Sequence, residues 1–137
     1  MRIRTRVLLA AAAALALGCV THQSTRAERL AEGHELYLTY CVACHGADGS
    51  GGPIAPYLAP PPRDLREIAL RQGGVFPRVM VEAWIDGREA VGAHGPREMP
   101  VWGYSFREEM ELDENTEANI HQRIALLVEY LESIQVR

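Results

Sequence analysis

The sequence contains no lysine. All fourteen basic residues are arginines, opposed by eighteen aspartates and glutamates, for a net charge of −4. Nucleic-acid binding needs a positive footprint, so this balance argues against such a partner. Long apolar runs are also missing. The longest, residues 7–17, has eleven residues, whereas a membrane-spanning helix needs about 20. No stretch alternates apolar and polar side chains, which leaves no basis for a sheet. Cysteine is scarce: Cys19, Cys41 and Cys44 are the whole set.

The apolar run follows Arg2, Arg4 and Arg6. A basic start and a short Ala/Leu run are the first two parts of a secretory signal. The run ends Ala16-Leu17-Gly18-Cys19, which resembles a bacterial lipoprotein signal, cleaved before a cysteine that takes lipid. The expected organisation is a signal over 1–18, a polar tether over 19–26 and one domain over 27–137. Cleavage would remove three arginines and no acid, leaving eleven bases against eighteen acids, a charge of −7.

Within the domain the expected fold is all-α, with four or five short helices and long loops. Residues 27–40 are predicted helical, with Leu30, Gly33 and Tyr37 on one face that Cys41 continues. Residues 41–62 are rich in glycine and proline, and a loop of that length in a small domain is expected to be functional. Asp64 can cap a short helix over 65–72, stopped by Gly73-Gly74. A further helix is predicted over 77–85, and 88–109 is predicted irregular. The clearest helix is 117–134, where Ile120, Ile124, Leu127, Val128, Leu131 and Ile134 form one stripe. So much loop in so short a domain leaves a thin core, and such domains commonly need a staple or a cofactor.

That need bears on Cys41-Val-Ala-Cys44-His45. Zinc requires four ligands, usually with a second close pair, and His94 and His121 are far apart in sequence. A thioredoxin-like pair belongs at a strand-to-helix junction. A disulfide between Cys41 and Cys44 would constrain little and leave His45 without a role. Covalent haem uses all three residues: the thiols bond the two vinyl groups and the histidine is forced under the iron.

In this order, "CVACHGADGSGGP", "MPVWG" and "LLVEYLESIQ" resemble the small class I c-type cytochromes, including those attached to respiratory oxidases. The resemblance covers about 27–135. It implies one covalent haem c on Cys41 and Cys44, with His45 and Met99 as axial ligands of the iron. Met99 lies in a Pro/Gly loop that can reach the opposite haem face, with Trp102 against the ring. His94, five residues earlier, is the rival ligand. The resemblance also implies that Pro53 offers its carbonyl to His45. Arg63 and Arg97 are the candidates to neutralise haem propionates. Met80 is expected in the core, Met110 exposed, and His34 and His121 solvated. Gly33 is expected where the first and last helices cross.

The function implied is single-electron transfer between redox partners at a membrane oxidoreductase. The protein would be exported, would not be an enzyme, and would be held at the membrane by lipid on Cys19. The competing classes are a peroxidase-like haem enzyme and a gas sensor that releases its sixth ligand.

Overall fold

The computed structural model describes residues 24–89 and 99–136. The expected signal segment, Cys19, His22, His94 and Arg97 lie outside these. The described residues form six α-helices and no strand: α1 Arg26–Tyr40, α2 Val42–His45, α3 Ile68–Arg71, α4 Arg78–Asp86, α5 Trp102–Glu108 and α6 Thr116–Ser133. Single 3-10 turns occupy Ala55–Tyr57 and Leu65–Glu67. The all-α expectation holds.

Helix α1 starts at a reciprocal cap. Thr25 Oγ1 accepts from the Glu28 N–H at 3.2 Å, and the Thr25 N–H donates to Glu28 Oε2 at 2.7 Å. The helix then crosses α6 in close backbone contact. A Cβ on Gly33 would overlap the Leu126 carbonyl oxygen and lie 3.0 Å from Tyr130 Cβ. Gly33 is buried, at the crossing expected of it. Rings pack around the contact: Tyr130 lies 5.2 Å from Tyr37 and 5.0 Å from His34. His34 is therefore half-buried against a ring rather than solvated. At the rim Arg29 grips Glu129 with two bonds, Nε to Oε2 at 2.9 Å and Nη2 to Oε1 at 3.1 Å.

The α6 stripe is the core. Ile120, Ile124, Leu127, Val128 and Leu131 are buried, joined by Tyr37, Ile68, Val81, Ile85 and Phe106. Ile134 is only partly buried against them.

Three expectations fail here. Residues 88–109 contain a helix, α5, because Trp102 and Phe106 sit one turn apart and stack at 5.6 Å, with Tyr40 edge-on to both. Met80 is 45 % exposed, since α4 turns Val81 and Ile85 inward instead. Met110 is partly buried against the core rather than exposed, because it follows directly on α5.

Gly33→Ala tests the crossing by sign. In an open helix that change stabilises by about 1 kcal/mol. Against a backbone carbonyl it should cost about 1–3 kcal/mol, as overpacking does. Urea unfolding of the two proteins side by side gives the answer.

Candidate functional site

Helix α2 follows α1 after a single residue, Cys41, which ends one helix and begins the other. Cys41 and Cys44 are three apart and Cys41 and His45 four apart, so all three fall on one helical face. The next segment folds back and satisfies the carbonyls of this short helix. Gly46 N–H bonds the Val42 carbonyl, Gly52 the Cys44 carbonyl and Gly51 the His45 carbonyl, each at 2.8 Å. Buried Tyr37 reaches across from α1, and its hydroxyl donates to the Gly46 carbonyl at 2.6 Å. The residues around His45 are therefore fixed from both sides.

The loop is sealed against the next segment. Leu65 N–H bonds the Gly49 carbonyl at 2.9 Å. Arg66 bridges Asp64 and Asp48, with its Nη1 on Asp48 Oδ2 at 3.1 Å. Asp64 caps as the sequence predicts, accepting from the Arg66 N–H at 2.8 Å. The C-terminal segment closes the far side. Gln135 accepts from the Ala69 N–H at 2.9 Å and donates to the Leu65 and Leu131 carbonyls at 2.8 and 2.7 Å.

These elements surround a cavity of about 90 Å³. Cys41, His45 and Met99 line it together, Met99 coming from a segment far along the chain from the other two. Tyr37 and Trp84 supply aromatic wall, and aliphatic side chains such as Ile68, Val81, Ile85 and Leu127 supply the rest. Cys44 is half-buried on the same short helix. Trp102 packs on Tyr40 and Phe106 and does not line the cavity. Trp84, which does, went unread in the sequence; its place one residue before buried Ile85 gave only a weak signal.

The chemistry of the three groups is distinctive. His45 Nδ1 is buried and has no hydrogen-bond partner. The bond expected with the Pro53 carbonyl is therefore not made from that atom, and Pro53 is exposed. Burial holds the His45 pKa below its ordinary value, opposed by the backbone carbonyl of Arg63. A lowered pKa keeps the imidazole neutral near pH 7, the form that binds a metal. The Arg63 side chain is exposed.

Cys41 is pushed up to about 12 by burial and by the neighbouring Cys44. Such a thiol stays protonated, which does not suit a redox nucleophile or a zinc thiolate. Both cysteines of the motif are free rather than disulfide-bonded. Among the described residues no three His, Cys, Asp or Glu side chains converge as metal ligands.

The residues present fit a haem. An unpaired buried ring nitrogen costs about 1–3 kcal/mol and calls for a partner. The residue that carries it lines an apolar cavity together with a protonated thiol and a thioether. His45 and Met99 are the side chains available to iron, and Cys41 and Cys44 those available for thioether bonds.

No curated protein and no solved structure matches the chain. The model of one family, cytochrome c oxidase, cbb3-type, subunit III, matches residues 28–114. That span takes in α1, the CxxCH helix, the sealed loop, Met99 and α5, so the chain belongs to the cbb3-type cytochrome c oxidase subunit III family and carries a small c-type cytochrome domain.

Proposed function

We propose that this protein is an exported, lipid-anchored cytochrome with one covalent haem c. It would pass single electrons between redox partners at a membrane oxidase complex. In this reading Cys41 and Cys44 would hold the haem covalently, and His45 and Met99 would be the residues that bind its iron. The observation that carries it is the meeting of Cys41, His45 and Met99 in one apolar cavity, with His45 Nδ1 unpartnered. Haem, when bound, supplies a one-electron iron couple. The chain's own residues do the rest. His45 stays neutral through burial. The aliphatic wall excludes water, which limits solvent rearrangement when charge changes. Met99 offers a soft thioether, and His/Met ligation favours a higher potential than two histidines.

Arg63 and Arg97 are proposed to face the haem propionates, and membership of an oxidase-subunit family supports an oxidase as the partner. Among the described residues no helix is long and apolar enough to cross a membrane, so membrane attachment in this reading rests on Cys19.

One observation favours a second reading. Met99 lines the cavity yet is 38 % exposed, as suits a ligand that lets go in a gas sensor or peroxidase-like enzyme.

Haem should stay with the wild-type polypeptide in acid acetone. It should be extracted from the Cys41→Ala/Cys44→Ala protein, which should also lose most of its helical circular dichroism. Release of all haem from the wild type would end the c-type reading.

Met99→Ala should lower the potential by at least about 59 mV, a tenfold change for a one-electron couple. The oxidised spectrum should become high-spin if water enters or stay low-spin if His94 does. His94→Ala should leave spectrum and potential as they are. The reverse pattern, measured by redox titration of both variants, would make His94 the ligand.

Cys19→Ser should move the holoprotein from the membrane fraction to the soluble exported fraction, or stall signal cleavage. More than one acyl chain is needed for stable anchoring. Fractionation with an unchanged membrane pool and normal cleavage would remove the lipid anchor and leave the haem assignment standing.

A further inference from the structure

Met99 lies in the chain between the end of α4 and the start of α5. At those two points the structure holds a cluster that the haem chemistry does not use. Gly87 ends α4, its N–H on the Ala83 carbonyl at 3.0 Å. Arg88 then folds back on Asp86 in a fork: Nε to Oδ1 at 2.7 Å and Nη2 to Oδ2 at 2.8 Å. Its third nitrogen, Nη1, donates to Glu117 Oε2 at 2.7 Å in the first turn of α6. Arg107 of α5 takes the other oxygen of Glu117 at 3.2 Å.

The returning strand of chain lies directly on this fork. A Cβ on Gly103 would overlap both Arg88 Nε and Asp86 Oδ1 and sit 2.7 Å from Arg88 Cδ. Gly103 is in the first turn of α5, four residues after Met99 and one after Trp102. A glycine inside a helix costs about 1 kcal/mol relative to alanine. Here that cost gives the fork access to bare backbone. The pair is well shielded, with side chains 18 and 19 % exposed. Hydrogen bonding from Arg88 holds the Asp86 carboxyl below its ordinary range.

A planar fork fixes direction as well as distance, which an apolar contact does not. The fork fixes Arg88 on the end of α4, its remaining nitrogen ties that end to the start of α6 through Glu117, and Gly103 seats α5 upon it. The two stems of the Met99 segment are thereby held at one place. We infer that Arg88, through Asp86 and Gly103, is a positioning residue for Met99: it fixes the stems so that the thioether is presented to the iron. This inference rests on Met99 being the sixth ligand.

Imidazole competition against the ferric holoprotein tests it, because exogenous imidazole must displace Met99 to bind. Arg88→Gln should raise apparent imidazole affinity about tenfold, or about 1.4 kcal/mol. The weak long-wavelength absorption of a methionine–iron bond should fade in parallel. Arg88→Lys, which keeps charge but loses the fork, should fall between. Arg29→Gln is the matched control: it breaks an equally forked pair at the α1–α6 crossing, and should lower the melting temperature without changing imidazole affinity. In a Met99→Ala background Arg88→Gln should change nothing further, since the two would act on one step. If Arg88→Gln behaves like Arg29→Gln, the fork is only a fold staple and the inference is overturned. A tenfold effect that persists in the Met99→Ala background also overturns it, since the pocket would be loosened generally. Equal imidazole affinity in wild type and Met99→Ala would show instead that Met99 is not the ligand, and both readings would go. Should Arg88→Gln yield no holoprotein, Arg88→Lys carries the same comparison.

Discussion

The rest of the fold is placed by one contact between backbones. Helix α1 touches α6 through Gly33, with the Leu126 carbonyl oxygen where a side chain would be. Because the contact admits no Cβ, the two helices cannot slide or rotate without a clash. The register that follows puts Tyr37 one turn further on, buried, with its hydroxyl on the Gly46 carbonyl. Cys41 then leaves α1 at a fixed point, and the short α2 can only present His45 into the cavity. Arg29 and Glu129 guard the rim of the same crossing. Being partly exposed, that pair adds modestly to stability. The close packing of Tyr37, Tyr130 and the α6 stripe contributes most there.

The core is small for the amount of loop it supports, and part of its surface faces the cavity instead of other side chains. Tyr37, Ile68, Val81, Ile85, Leu127 and Leu131 each serve as both core and wall. A bound apolar ring would complete contacts that these residues otherwise make on one side only. The same wall sets the electrostatics. A dry surround disfavours charge on imidazole and thiolate alike, which is why His45 is pushed down and Cys41 up. Fold stability and ligand readiness thus come from the same residues.

Much of this was legible in the sequence, and the exceptions have physical causes. The 117–134 stripe, the 27–40 helix and the Asp64 cap depend on local periodicity and end signals, which sequence carries well. Thr25-Arg-Ala-Glu28 was a readable capping box that would have moved the start of α1 back by one residue. Helix α5 was obscured because Gly103 and Pro100 argue locally for a loop, while the Trp102–Phe106 pair argues for a turn of helix. Tertiary stacking on Tyr40 decides between them. Met80 and Met110 exchanged places for a similar reason: both fates depend on which face of α4 and which end of α5 meet α6. Gln135 could not be read at all, since its three bonds go to backbone groups of distant segments and of α6. The site was legible where chemistry demands a fixed spacing, as in Cys41, Cys44 and His45. It was less so where a fold brings residues together, as with Trp84.

The two sides of the cavity are held in different ways. On the His45 side, every carbonyl from Val42 to Gly46 accepts a hydrogen bond, and Tyr37 locks the turn from behind. Nothing there can shift without breaking several buried bonds at once. On the Met99 side, Met99 is partly exposed, and the described residues on either side of it are tied together by the Arg88–Asp86 fork and Gly103. In the proposed reading a rigid histidine and a loop-borne methionine would divide the work of an electron carrier. The first would anchor the site. The second would set how strongly reduced iron is favoured, and would be the side on which a small change in the scaffold alters function before it alters the fold.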